Sequence, residues 1–303
     1  MVYYTDRISV HGSIETEDRL MRNVLLKDGT PIPALGQGTW YMGEKRSLRD
    51  SEIESLRWGI EHGMNLIDTA EMYGDGASEE LIGDAIVPFD REKLFIVSKV
   101  YPWNAGRRNI FDSCEASLER LGTDYLDLYL LHWRGNVPLR ETVQCMEELQ
   151  KQGKILRWGV SNLDDSDMKE LSAVPGGLNC QCDQVLYHLG SRGAEVKLLP
   201  WLKEHDMPMM AYCPLAQAGK LRSAMLRDPV LNEIAHAHNA TVFQIMLAFA
   251  IHDHNVFAVP KAGTLKHVQE NREAAEIELS EEEMELLNKA FPKPAHVYGL
   301  DMV

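Results

Sequence analysis

The chain has 303 residues, enough for one large domain or two ordinary ones, and its 45% hydrophobic and 25% charged content is that of an ordinary globular protein. A formal net charge of −15 argues against a general binder of nucleic acid or of anionic membranes, while leaving room for an anionic cofactor held in a local basic pocket. The sequence lacks both a membrane-length apolar run and, in its first twenty residues, the apolar core of a signal peptide, and its five cysteines read as reduced thiols; these features together predict a cytoplasmic location.

Residues 1–21 show no clear period and are expected to form an N-terminal extension, with a single domain over 22–303. Residues 23–26 and 31–35 flank Lys27-Asp28-Gly29-Thr30 and read as a β-hairpin outside the main sheet, since Asp-Gly is a favourable turn pair. Beyond it, short apolar runs alternate with helical periods. Strands are predicted at 36–39 and 66–68, then ending at Lys99 and at His132, then at 155–160, 179–184, 208–212 and 255–259. Helices are predicted at 50–62, 78–86, 109–121, 139–152 (closed by Gly153), 165–173 and 196–205. Residues 230–252 are helical with a break near Asn239, and 265–275 and 280–290 follow, the last capped by Ser280 with acids at its positive end. Eight strand–helix units point to an α/β fold of the closed (β/α)8, or TIM barrel, type. An open doubly wound sheet is the rival. The count, and the polar residues that recur at strand ends, favour the barrel.

Those polar residues are Asp68, Tyr73, Lys99 and His132. Each ends an apolar run or follows one, which is where β/α folds place their chemistry. Taken singly, a strand-end Asp commonly caps a loop, a Lys is commonly solvated and a Tyr commonly packs. Together they form a set that can protonate a carbonyl oxygen. An unperturbed phenol has a pKa of about 10, too high for ready proton transfer at neutrality. An ammonium at Lys99 is expected to lower it, with Asp68 keeping Lys99 charged and placed. His132 is expected to donate a hydrogen bond to the substrate oxygen or to relay a proton.

At these residues the chain resembles the aldo-keto reductase superfamily, over nearly all of 22–303, and within it the bacterial members of methylglyoxal reductase type. Asn65-Leu66-Ile67-Asp68-Thr69-Ala70-Glu71-Met72-Tyr73-Gly74 resembles the family's first signature, Lys99 stands where its lysine stands, and His132 closes a stretch like its fourth-strand motif. The resemblance implies an eight-stranded barrel, with Tyr73 as general acid, Asp68 and Lys99 tuning it and His132 orienting the carbonyl.

No Gly-x-Gly-x-x-Gly fingerprint follows Gly36-Gln37-Gly38, and no phosphate loop is present, so motifs alone would not yield a nicotinamide cofactor. The resemblance supplies it: NADPH, with NADH as a possible substitute, extended across the C-terminal face of the barrel. By that likeness Ser161, Asn162 and Gln184 hold the carboxamide and Tyr212 stacks on the nicotinamide. Cys213, Pro214, Leu215 and Gln217 lie in the segment that passes over the pyrophosphate. Lys261, Ala262, Thr264 and His267 meet the ribose 2′-phosphate, Thr264 being also a candidate helix cap. Glu270 and Asn271 lie near the adenine, and Thr39, Trp40 and Asp68 complete the cofactor contacts. Many relatives carry serine where this chain has Cys213 and Ala262, and arginine where it has His267. These departures weaken the expected phosphate grip and put selectivity for NADPH over NADH in question.

Trp40, Met72, Tyr73, Trp103, His132 and Trp133 follow early strand ends and are expected to line a narrow apolar mouth suited to small aldehydes and dicarbonyls. The short tail after Pro292 is expected to add little wall. A metal-dependent hydrolase is a weaker reading. His236 and His238 are two apart on a helix, and neither His252/His254 nor Cys180/Cys182 is joined by further ligands at sensible spacing, so no metal is expected. The non-catalytic alternative is a nicotinamide-binding regulatory barrel. A monomer without an obligate protein partner is expected.

Overall fold

A hairpin comes first: Asn23–Leu25 (β1) pairs antiparallel with Pro31–Pro33 (β2), with Val24 opposite Ile32. The computed structural model describes residues 21–303 except positions 218 and 298, so the expected extension lies outside the described residues apart from its last position. Gly29, at φ +85°, makes the turn, as the Asp-Gly pair predicts.

Eight parallel strands follow: Gln37–Gly38 (β3), Leu66–Asp68 (β4), Phe95–Val100 (β5), Leu128–Leu131 (β6), Trp158–Ser161 (β7), Asp183–Leu186 (β8), Met209–Tyr212 (β9) and Val256–Ala258 (β10). Each pairs with the next in chain order. The first and last are joined by parallel bridges, Leu35 to Ala258 and Gly38 to Lys261, and the Gly38 amide donates to the Pro260 carbonyl at 3.0 Å. The sheet therefore closes on itself. This seam explains Gly36-Gln37-Gly38, the pattern that failed as a nucleotide fingerprint. A Cβ on Gly38 would stand 2.5 Å from the Val259 carbonyl oxygen, and one on Gly36 2.8 Å from that of Leu66. Only glycine lets the neighbouring backbones approach so closely.

Every residue of β4 to β8 is buried, as expected of strands with helices outside and side chains filling the barrel within. The helices are Arg49–Glu61 (α1), Ala77–Ile86 (α2), Ile110–Leu121 (α3), Leu139–Lys151 (α4), Asp165–Ser172 (α5), Leu198–Glu204 (α6), Lys220–Met225 (α7), Pro229–Ala237 (α8), Val242–Ala250 (α9), Leu265–Ala274 (α10) and Glu281–Ala290 (α11). The predicted break near Asn239 separates α8 from α9, with Asn239 at φ +50°. Ser280 caps α11 in a capping box with Glu283.

Two strands are displaced from their predicted positions. Ile155 bridges Leu126 below the barrel, so β7 starts three residues later than its apolar run. Residues Gly177–Asn179 form a 3-10 turn, and β8 runs from Asp183 to Leu186 instead of ending at Gln184. Helix α7 was not predicted. Its six residues are too few to show a period. Among the described residues no helix is long and apolar enough to cross a membrane.

Candidate active site

The strand ends bring the four polar residues together. Lys99 is fully buried, and its ammonium donates to Asp68 Oδ2 (2.9 Å), to the Thr69 carbonyl (2.7 Å) and to Tyr73 Oη (3.1 Å). An ammonium has three protons, so all are committed. Because the tyrosine oxygen accepts from Lys99, its own proton is free to point elsewhere. Asp68 is held from its other side by Gln184 Nε2, at 2.8 Å from Oδ1. The Tyr73 loop owes its sharp path to Gly74 and Asp75, both at positive φ.

Electrostatics here differ from the expectation. Burial pushes the Tyr73 phenol well above its ordinary pKa, and the charge of Asp68 adds to that rise. The predicted lowering by Lys99 is overturned in this state: Lys99 is balanced by its adjacent carboxylate, leaving desolvation to dominate. Burial also draws Lys99 down and Asp68 up, each restrained by the other's charge. His132 is pulled down to about 2, by desolvation first and by Lys99 second. It is therefore neutral near pH 7. Of its two expected roles, hydrogen-bond donation agrees with this state and a relay through an imidazolium does not. Its Nδ1 is buried without a hydrogen-bond partner.

The expected carboxamide residues are linked to one another. Ser161 Oγ donates to the Gln184 carbonyl (2.8 Å), Asn162 Nδ2 to the His132 carbonyl (3.2 Å), and Tyr212 Oη to Asn162 Oδ1 (2.9 Å). Asn162, at φ +59°, turns its amide back over the strand ends. After β9, Cys213 and Ala216 also take positive φ, and Pro214 and Leu215 lie between them, with Gln217 exposed. Thr39 is fully buried and spends its hydroxyl on the Asp68 carbonyl at 2.9 Å, so it supports β4 from below.

Lys261 is exposed just past β10, at the barrel seam, and Ala262 beside it is buried. Thr264 stands at the N-cap of α10 with no side-chain cap bond, contrary to the capping expectation; its extended backbone presents its carbonyl to Ser55 Oγ at 3.4 Å. His267 is exposed on the first turn of α10, while Glu270 lies 3.6 Å from Lys266 and Asn271 is buried.

An aromatic rim stands beside the polar group. Trp40 lies 6.3 Å from Tyr73 between ring centroids, and His132 4.9 Å from Trp133. Trp103, 60% exposed, meets Trp133 edge-on at 5.8 Å. Met72 is half-buried next to Tyr73. Sequence reasoning missed Tyr101, which stacks on Trp103 at 4.4 Å, and Tyr41, which stacks on Trp40 at 4.7 Å. Both are aromatics within two residues of a strand-end residue already singled out, and that was the available signal. The tail also reaches further than expected. Ser191 Oγ donates to Asp301, and the Val303 backbone bonds the Tyr212 hydroxyl. Among the described residues no group of three His, Cys, Asp or Glu side chains could hold a metal ion.

Comparison with known proteins agrees with this geometry. The aldo/keto reductase family matches residues 34–291. Methylglyoxal reductase YeaE of Escherichia coli is 58% identical over 272 residues, 90% of this chain and 95% of that protein. Glyoxal reductase of Bacillus subtilis is 33% identical over 89% of this chain and 92% of its own. An aldo-keto reductase from Klebsiella pneumoniae, solved in complex with NADPH, superposes with a TM-score of 0.91 at 50% identity, covering 94% of this chain and all of that one.

Proposed function

Because this chain belongs to the aldo/keto reductase family, we propose that it reduces small aldehydes and dicarbonyls, methylglyoxal among them, to alcohols with NADPH. The observation that carries this reading is the commitment of all three Lys99 protons, one of them to Tyr73 Oη. That bond leaves the phenol proton directed outward and strengthens as negative charge develops on the oxygen, so it favours the transition state over the ground state. Tyr73 is the general acid. Its raised pKa keeps it protonated across the neutral range but makes it a weaker acid, so proton release depends on the Lys99 ammonium stabilising the oxygen as negative charge develops there. Neutral His132 donates a hydrogen bond that orients the carbonyl oxygen.

The residues present fit a nicotinamide cofactor, which supplies the hydride when bound. Ser161, Asn162 and Gln184 offer a carboxamide both donors and acceptors. The Tyr212 ring is held by its bond to Asn162 and would stack on the nicotinamide, setting which face it presents. Lys261 supplies a point charge for the 2′-phosphate, beside Thr264, whose hydroxyl makes no cap bond, and His267. Cys213, Pro214, Leu215 and Gln217 would hold the pyrophosphate, and Glu270 and Asn271 the adenine. The protein acts in the cytoplasm as a monomer of one barrel domain spanning 22–303.

The alternative, a non-catalytic nicotinamide-binding barrel, predicts tight NADPH binding with no turnover. A cofactor-oxidation assay with methylglyoxal separates the two. Turnover that depends on both substrates is expected, and its absence despite tight NADPH binding would replace this reading with the alternative.

A further inference from the structure

Glu71 lies between Asp68 and Tyr73 in sequence, and neither the resemblance nor the catalytic group gives it a task. Its carboxylate does not face solvent freely. Oε1 accepts the backbone N–H of Tyr101 at 2.7 Å and Asn104 Nδ2 at 3.2 Å, and Asn104 Oδ1 in turn accepts from Asn109 Nδ2 at 3.4 Å. The Asn104 amide closes a turn on the Tyr101 carbonyl at 2.9 Å. One oxygen thus gathers the start of the loop between β5 and α3. Trp103 rides on that turn, between its stacking partner Tyr101 and the edge of Trp133. Burial raises the pKa of Glu71, and the Tyr101 and Asn104 bonds oppose the rise, so these bonds offset the cost of holding a carboxylate there.

We infer that Glu71 is a positioning residue for substrate choice: it ties the loop carrying Tyr73 to the loop carrying Trp103 and so sets the distance between the proton donor and the aromatic wall. This rests on the reductase reading above. A carbonyl substrate with a flat apolar end bears on that wall and feels the spacing, whereas methylglyoxal, with only a methyl group, does not reach it.

The test uses the full-length protein with NADPH and two substrates, methylglyoxal and benzaldehyde. Glu71→Ala is expected to raise KM for benzaldehyde about tenfold, the order of a lost aromatic contact, with kcat and KM for methylglyoxal and the dissociation constant of NADPH within about twofold of the parent. Glu71→Gln, whose amide oxygen accepts both bonds, is expected to restore the benzaldehyde KM. In a Trp103→Ala background, Glu71→Ala is expected to add little, since both act through one wall. An equal loss on both substrates, no loss on either, or full additivity with Trp103→Ala would overturn the inference. A parent protein inactive on both substrates would instead defeat the reductase reading. If Glu71→Ala fails to fold, Glu71→Gln against Trp103→Ala decides: benzaldehyde selectivity must follow Trp103 and be kept in Glu71→Gln.

Discussion

At the scale of single residues, burial decides more than charge does. The carbonyl-side histidine shows it. His132 is drawn to about 2 while an unfolded histidine titrates at about 6.5, so below that pH the unfolded chain takes up a proton the folded chain refuses. Stability therefore falls as pH drops from about 6.5 toward about 2, by about 2 kcal/mol at pH 5 from this residue alone. His188, drawn to about 4, adds to the same slope. Urea unfolding of the parent and of His132→Asn across pH 5 to 8 checks this: the variant is expected to lose less stability on acidification, and parallel curves would show that His132 titrates normally. The four polar residues were legible in the sequence because each ends an apolar run or, like Tyr73, follows one in the next loop. Tyr73's raised pKa was not, because it depends on how completely the folded chain excludes water. Nor was the Thr69 carbonyl that takes the third Lys99 proton, since backbone groups carry no side-chain signal.

Elements meet closely at the seam between β3 and β10. The Val259 oxygen would lie 2.5 Å from a Cβ on Gly38, and both partners are backbone, so neither can swing away. Gly38→Ala is expected to destabilise the fold by about 1–3 kcal/mol, in the range of other overpacked sites, measured as a lowered urea midpoint. An unchanged midpoint would mean that the seam yields. The same stretch carries Lys261. Removing its ammonium in Lys261→Ala leaves the backbone bridge to Gly38 intact and should weaken NADPH by roughly tenfold to hundredfold, while NADH, lacking the 2′-phosphate, changes little. Equal effects on the two nucleotides, read as dissociation constants, would remove Lys261 from the phosphate site. Strand order was legible because most strands hold a short apolar run, as Leu66–Asp68, Leu128–Leu131 and Met209–Tyr212 do, but the edges were not. Ile155 is apolar without belonging to β7, and the buried Cys180 and Cys182 precede β8.

For the whole molecule, eight repeats of strand and helix were enough to foresee a closed barrel, and Leu35 and Gly38 against Ala258 and Lys261 complete the ring. Asp68, Tyr73, Lys99 and His132 gather at the strand ends and all come from one chain, so the proposed reduction is expected to need no second copy. A solution mass of about one chain is expected, in keeping with the −15 net charge that opposes self-association, and an obligate dimer would contradict it. In the proposed mechanism the Tyr73 proton, released against the Lys99 ammonium, completes carbonyl reduction. Single-turnover kinetics of Tyr73→Phe with NADPH and methylglyoxal test it most directly. The expected result is a rate lower by about 10²–10⁴-fold with the NADPH dissociation constant within about twofold of the parent. A rate close to that of the parent would show that Tyr73 is not the proton donor.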